Sequence, residues 1–227
     1  MSTNITPSSI PGRSNVMPHD FLRHIGATAR TVSELMKDGK PAKAVIATRT
    51  YDTNPADLWD AITSAQRIPR WFLPVEGDLK LGGRYQFKGN AGGEITRCEA
   101  PRHLAVTWEF GNELTWLDVV LTEVGAEQTQ LELTHVAHID QSRWDEYGPG
   151  AVGVGWDGGL MGLAEHISGK PALVPEEAMA WMTSDVGKAF YRASSEAWRL
   201  ASIASGTPEE AANAAAKRTS LAYTGEG

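Results

Sequence analysis

The chain has 227 residues, a net charge of −7, 41% hydrophobic and 22% charged residues, and a single cysteine, Cys98. This length supports one domain with a sizeable core plus extensions, and one cysteine excludes internal disulfides and cysteine-rich zinc sites. With an acidic balance, no dense Lys/Arg run, no apolar stretch approaching ~18 residues and no N-terminal apolar core of a secretory signal, the expected protein is cytoplasmic, with no nucleic-acid or membrane partner.

Residues 1 to about 17 are rich in Ser, Pro and Asn and read as a loose tail. From Asp20 to Lys37, the apolar Phe21, Ile25, Val32, Leu35 and Met36 recur at roughly helical intervals, and Gly39-Lys40-Pro41 would stop such a helix. Residues 1–40 therefore form a tail and N-terminal helix in this reading. Lys43 to Tyr51 alternates and is β-branched, as a strand is. Asn54-Pro55-Ala56-Asp57 is a helix start: Asn54 can cap, Pro55 suits the first helical position, and Asp57 sits where the dipole favours an acid. Ala65 to Phe72 reads as a second short helix, made irregular by Pro69.

Strands follow at about ten-residue spacing: Gly77–Leu81, Arg84–Lys88, Glu94–Glu99, His103–Phe110, Leu114–Val124 and Thr129–His138, separated by glycine-rich turns. This is the signature of an antiparallel meander. The helix Ala151 to Ser168 comes next. Trp156, Leu160, Leu163 and Ile167 form its apolar stripe, with Asp157, Glu165 and His166 on or near the other side. Gly150, Gly153, Gly155, Gly158, Gly159 and Gly162 crowd this segment. Each interior glycine costs up to about 1 kcal/mol relative to alanine, so the backbone must approach something closely or border empty volume. The expected arrangement is a helix across a curved sheet with a cavity between them. Residues 41–170 make that domain, and residues 171–227, with helix starts at Pro175, Ser184 and Thr207, make a helical extension.

The stretches YDTNPADLWDAIT, RIPRWF, LKLGGRYQF, GEITRCEAPRHLAVTWEF, TQLELTH and GWDGGLMGLAEHI occur in this order over about residues 43–169. Together they resemble the helix-grip superfamily of START and birch-pollen-allergen-like proteins (SRPBCC), and within it the branch named after the activator of the Hsp ATPase (AHSA-like). The resemblance implies an α+β helix-grip fold: a curved antiparallel sheet wrapped on a long C-terminal helix, here with extra terminal helices. Relatives in that superfamily include co-chaperone domains, lipid and polyketide carriers, aromatase/cyclases and proteins that confer resistance to a toxic metabolite.

The candidate ligand-binding residues are Trp71, Phe72, Tyr85, Phe87, Trp108, Trp116, His135, Trp156 and Leu160, rings and apolar groups suited to a small apolar or aromatic ligand. Strand alternation puts Leu104, Val106, Trp108 and Phe110 on one face, and His135 with Leu131 and Leu133 on another inward face, leaving His138 on the opposite parity. His166, near a helix C-terminus, reads as a surface residue. Glu109 and Asp118 are expected to pair with Arg84 or Arg97 across strands. No nucleotide, serine-hydrolase or zinc-hydrolase motif is present, no cofactor or metal is expected, and no catalytic residue stands out. The leading reading is binding without catalysis. The alternatives are an enzyme of the aromatase/cyclase type using His135 or Tyr85, and a co-chaperone-like interaction module. Trp181, Phe190, Tyr191 and Trp198 in the extension are expected to anchor a lid or a homodimer interface.

Overall fold

The structure is a computed structural model that describes residues 20–172 and 174–226. Among these residues eight strands form one antiparallel sheet in the order β1-β2-β8-β7-β6-β5-β4-β3. They are β1 (Thr28–Lys37), β2 (Lys40–Tyr51), β3 (Val75–Gly77), β4 (Arg84–Phe87), β5 (Gly92–Glu99), β6 (His103–Phe110), β7 (Glu113–Gly125) and β8 (Gln128–His138). Among the described residues seven α-helices accompany it: α1 (Asp20–Gly26), α2 (Pro55–Thr63), α3 (Gln141–Tyr147), α4 (Gly150–Ile167), α5 (Pro175–Thr183), α6 (Asp185–Ala204) and α7 (Glu209–Thr224). This is the helix-grip arrangement, with α4 as the long helix.

Four elements differ from the sequence reading. The stretch expected to be one helix over 20–37 divides into α1 and the edge strand β1. Asp38 and Gly39 adopt φ of 50° and 76° and close a two-residue turn between the paired Lys37 and Lys40. An Asp-Gly pair with both residues at positive φ is the turn that joins two strands with matching twist. Thr28, Thr31 and Val32 are β-branched, and once that hairpin forms their strand preference prevails. The second short helix shrinks to a 3₁₀ turn, Ile68–Arg70. The strand placed at Gly77–Leu81 lies earlier, at Val75–Gly77, because Gly77 turns away at φ 119°. Helix α3 was not foreseen; Asp140 caps it by accepting from the Arg143 backbone N–H.

The layers are sheet, α4, then α6 with α7. Leu117, Val119, Leu121, Leu131, Leu133, Val45 and Ala47 point from the sheet towards Trp156, Leu160 and Leu163 of α4. On its other side α4 meets α6, which also packs on β1 and α1, while α7 packs on α6 and α3. Phe190, Tyr191 and Trp198 are buried within this one chain. The extension is therefore a buttress behind α4, and these rings, expected at a lid or dimer interface, are used up in intramolecular packing.

Close approach explains two of the α4 glycines. A Cβ on Gly153 would stand 2.3 Å from the Trp198 ring, and one on Gly162 would stand 2.5 Å from the Trp71 carbonyl oxygen. Gly158 meets nothing within 4 Å. Gly153→Ala is therefore expected to lower unfolding stability by about 1–3 kcal/mol through overpacking. Gly158→Ala is expected to raise it by up to about 1 kcal/mol through helix propensity. Urea unfolding of the two variants checks the contrast, and equal effects would remove close packing as the reason for Gly153.

Candidate functional site

The ring cluster is assembled from three directions. Tyr85, Phe87 and Trp108 rise from β4 and β6, Trp71 and Phe72 come from the end of the 3₁₀ turn, and Trp156 descends from α4. The turn is held against α2 because Arg67 Nη1 pairs with Asp57 at 2.7 Å and Asp60 at 3.0 Å, and Trp71 Nε1 donates to the Ala61 carbonyl. Gly159 and Gly162 let this turn lie close to α4. Phe72 then stacks on Trp156 at 6.2 Å between centroids and meets Phe87 edge-on at 5.0 Å. Trp108 makes edge contact with Trp156 at 5.0 Å and lies 5.7 Å from Phe87. Such tilted and edge-to-face contacts are the favoured arrangements of aromatic pairs.

Eight of the nine sequence-predicted site residues face the space between sheet and α4. Trp156, Leu160, Tyr85 and His135 are buried, and Trp71, Phe72, Phe87 and Trp108 are partly exposed. Trp116 does not join them. It sits on the outer face of the sheet with Ala42, Ala44, Ile46 and Val136, against His138 and under the Lys37 ammonium. Strand β7 turns Thr115, Leu117 and Val119 inward and so turns Trp116 outward. Phe110 shares the inward parity of Trp108 but is 57% exposed, at the hairpin end beyond the reach of α4. Where the sequence reading places a cavity, the rings close on one another, with neighbouring centroids 5.0–6.2 Å apart. An open gap between apolar rings forfeits dispersion contacts, which drives such closure. A groove of about 310 Å³ opens elsewhere, between α6 and α7, lined by Arg192, Ser195, Arg199 and Lys217 among others.

The polar side-chain atoms of Trp71, Tyr85, Trp156 and His135 are bonded within the protein. Trp156 Nε1 can only donate, and it donates to His135 Nδ1 at 3.0 Å. The His135 proton therefore lies on Nε2 and is donated to Thr115 Oγ1 at 2.8 Å, which in turn donates to the Trp108 carbonyl. Burial pushes the His135 imidazole down to about 4, so it is neutral at physiological pH. Tyr85 donates to the Thr107 carbonyl at 2.7 Å, and burial pushes its phenol well above the usual range.

The family model described as "Activator of Hsp90 ATPase homolog 1-like protein" matches residues 52–168. The chain belongs to this family. The crystal structure of CalU16 from Micromonospora echinospora is similar at 31% identity, covering 77% of this chain and 98% of CalU16, with a TM-score of 0.59. Its solution structure gives 29% identity, 79% and 97% coverage, and a TM-score of 0.65. The protein EF2215 from Enterococcus faecalis, 15% identical over 76% of this chain and 91% of its own, shares the fold at a TM-score of 0.52. No curated protein matches the chain.

Within this Hsp90-activator-like domain, several charged residues have partners that the sequence did not predict. His166 accepts from Arg67 Nε at 3.2 Å, and burial with Arg67 and Arg70 nearby lowers its pKa, so it is an acceptor and not a surface cation. Glu109 pairs with Arg84 as expected, whereas Asp118 pairs with His103. Thr115 is a site residue the sequence reading missed. Among the described residues, no group of three or more acidic, His or Cys residues is placed to hold a metal.

The depressed His135 pKa carries a stability consequence. Between about pH 6.5 and 4 the unfolded chain binds a proton there that the folded chain does not, so stability falls as pH falls through this window. The loss reaches about 3 kcal/mol once the pH has fallen to the folded pKa of about 4. Urea unfolding from pH 7 to 4 is expected to show this slope in the wild type and a shallower one in His135→Gln. Parallel slopes would mean that His135 does not titrate in this way.

Proposed function

We propose that the protein binds a small apolar or aromatic molecule at the ring cluster beneath α4 and does not catalyse a reaction on it. One observation carries this reading: the polar atoms of Trp71, Tyr85, Trp156 and His135 are already bonded internally, while Phe72, Phe87 and Trp108 keep ring surface partly exposed. A guest there meets mainly ring faces and edges, with the Trp108 indole N–H as the one ring donor lacking a partner among the described residues, which suits an apolar or aromatic guest better than a strongly polar one.

The enzymatic alternative needs an acid or base. His135 is neutral with both ring nitrogens engaged, and the Tyr85 hydroxyl is committed to a carbonyl with a raised pKa. Neither is poised for proton transfer near neutral pH. Entry of a guest requires the rings to part. The 3₁₀ turn bearing Trp71 and Phe72 is the natural moving part, because it is short and held to α2 largely by the Arg67 ion pairs. A cytoplasmic setting and the absence of nucleic-acid and membrane partners accord with the acidic charge, and no helix among the described residues is long and apolar enough to cross a membrane.

Binding of a fluorescent naphthalene-type probe tests the reading. Phe72→Ala and Phe87→Ala are each expected to weaken binding about tenfold, roughly 1.4 kcal/mol, consistent with loss of one aromatic contact. Trp116→Ala, on the outer face, is expected to leave affinity unchanged. Undiminished binding in a folded Phe72→Ala, Phe87→Ala double variant would place the ligand elsewhere.

A further inference from the structure

The inner face of β1 and β2 carries two arginines beside the apolar core, Arg30 and Arg49, and their surroundings differ. Arg30 Nε pairs with the buried Asp157 at 3.0 Å and its Nη1 donates to the carbonyls of Thr28 and Ile25, while its Nη2 has no partner among the described residues. Arg49 is 7% exposed, lies over the Tyr51 ring at 5.4 Å, and has one hydrogen bond, from Nη2 to His24 Nδ1 at 3.0 Å. Its Nε and Nη1 are buried and have no partner among the described residues. Among the described residues no carboxylate lies within ion-pair distance of it. The acids nearest in electrostatic effect, Asp157 and Glu165, are engaged with Arg30 in one case and with His24 and Lys170 in the other, and Arg23 adds a repulsive charge.

A guanidinium stays charged in proteins, and burying it without a counter-ion is costly. A water molecule could satisfy one N–H group but would leave the charge unmatched. The geometry of the group is suggestive. Nη2 has two hydrogens and one faces His24. Its second hydrogen and one of the two unpartnered groups, Nε–H or Nη1–H, complete a free fork, side-on or end-on. Such a fork matches the two oxygens of a carboxylate.

We propose that Arg49 is the receptor for a carboxylate, held between β2, His24 of α1 and the Leu160–Glu165 stretch of α4. The carboxylate is that of a small free acid. This site stands independently of the ring-cluster reading, because its argument uses none of those rings.

The test measures the thermal midpoint of the full chain in sodium formate, acetate or benzoate against sodium chloride at equal ionic strength. The ¹⁵Nε–¹H resonances of the arginines are followed in parallel. The wild type is expected to show a saturable, carboxylate-specific rise of a few degrees with a shift of one Nε–H signal. Arg49→Met and Arg49→Lys, which lack the fork, are expected to lose both responses. Response to formate and acetate identifies a free small acid. Response to benzoate alone, lost in Phe72→Ala, would place the acid at the ring cluster and count against Arg49 as its receptor. Arg49→Met in chloride is expected to be at least as stable as the wild type, since it removes an unmatched buried charge. An unresponsive wild type, or one that responds equally to chloride and carboxylates, would overturn the proposal. The wild-type arm stands even if a variant fails to fold.

Discussion

The central constraint on this fold is the buried carboxylate of Asp157. At 3% exposure it accepts from Arg30 Nε at 3.0 Å, from Ser194 Oγ at 2.5 Å and from Trp198 Nε1 at 3.1 Å. These partners come from the edge strand β1 and from α6, so one side chain of α4 ties the sheet edge and the extension together. Burial raises the Asp157 pKa, opposed by Arg30 and by the hydrogen bonds. Such a group tolerates its position only when its partners are in place. One helical step away, Trp156 faces the sheet and donates to His135. The rotation of α4 is thus set from both sides at neighbouring residues, and that rotation decides which rings meet beneath it.

This arrangement separates a fixed wall from a looser one. The α4 side, with Trp156, Leu160 and Leu163, is buried between two layers and pinned by Asp157. The opposing side carries the partly exposed Phe72 and Trp71 on a single 3₁₀ turn. Regions with few buried contacts are those that open at low free-energy cost. A guest that displaces Phe72 from Trp156 would leave α4 undisturbed, which is the division of labour a binding protein requires.

Much of this was legible in the sequence, for identifiable reasons. The alternation read from Lys43 to Tyr51, which turns Val45, Ala47 and Tyr51 inward, that from Leu104 to Trp108, and the Trp156-Leu160-Leu163 stripe match the observed packing. The Asn54 cap behaved as its chemistry dictates. The errors also have physical causes. Phe21 to Met36 carries apolar residues compatible with a helix, but the Asp38-Gly39 turn and β-branched threonines favoured a hairpin. Trp116 was grouped with the other rings by type, although Asp118 on the same parity indicated an outward face. The Asp157–Arg30 pair and the burial of Arg49 were invisible because they depend on β1, α1 and α6 closing over α4, long-range contacts that no local spacing reports.

The account rests most directly on where an apolar guest sits. Intermolecular nuclear Overhauser effects between a naphthalene-type probe and the assigned ring protons of the full chain would locate it. The account predicts contacts from the probe to Phe72, Phe87, Trp108 and Trp156. Contacts confined to Trp116 on the outer face, or to the groove between α6 and α7, would contradict it.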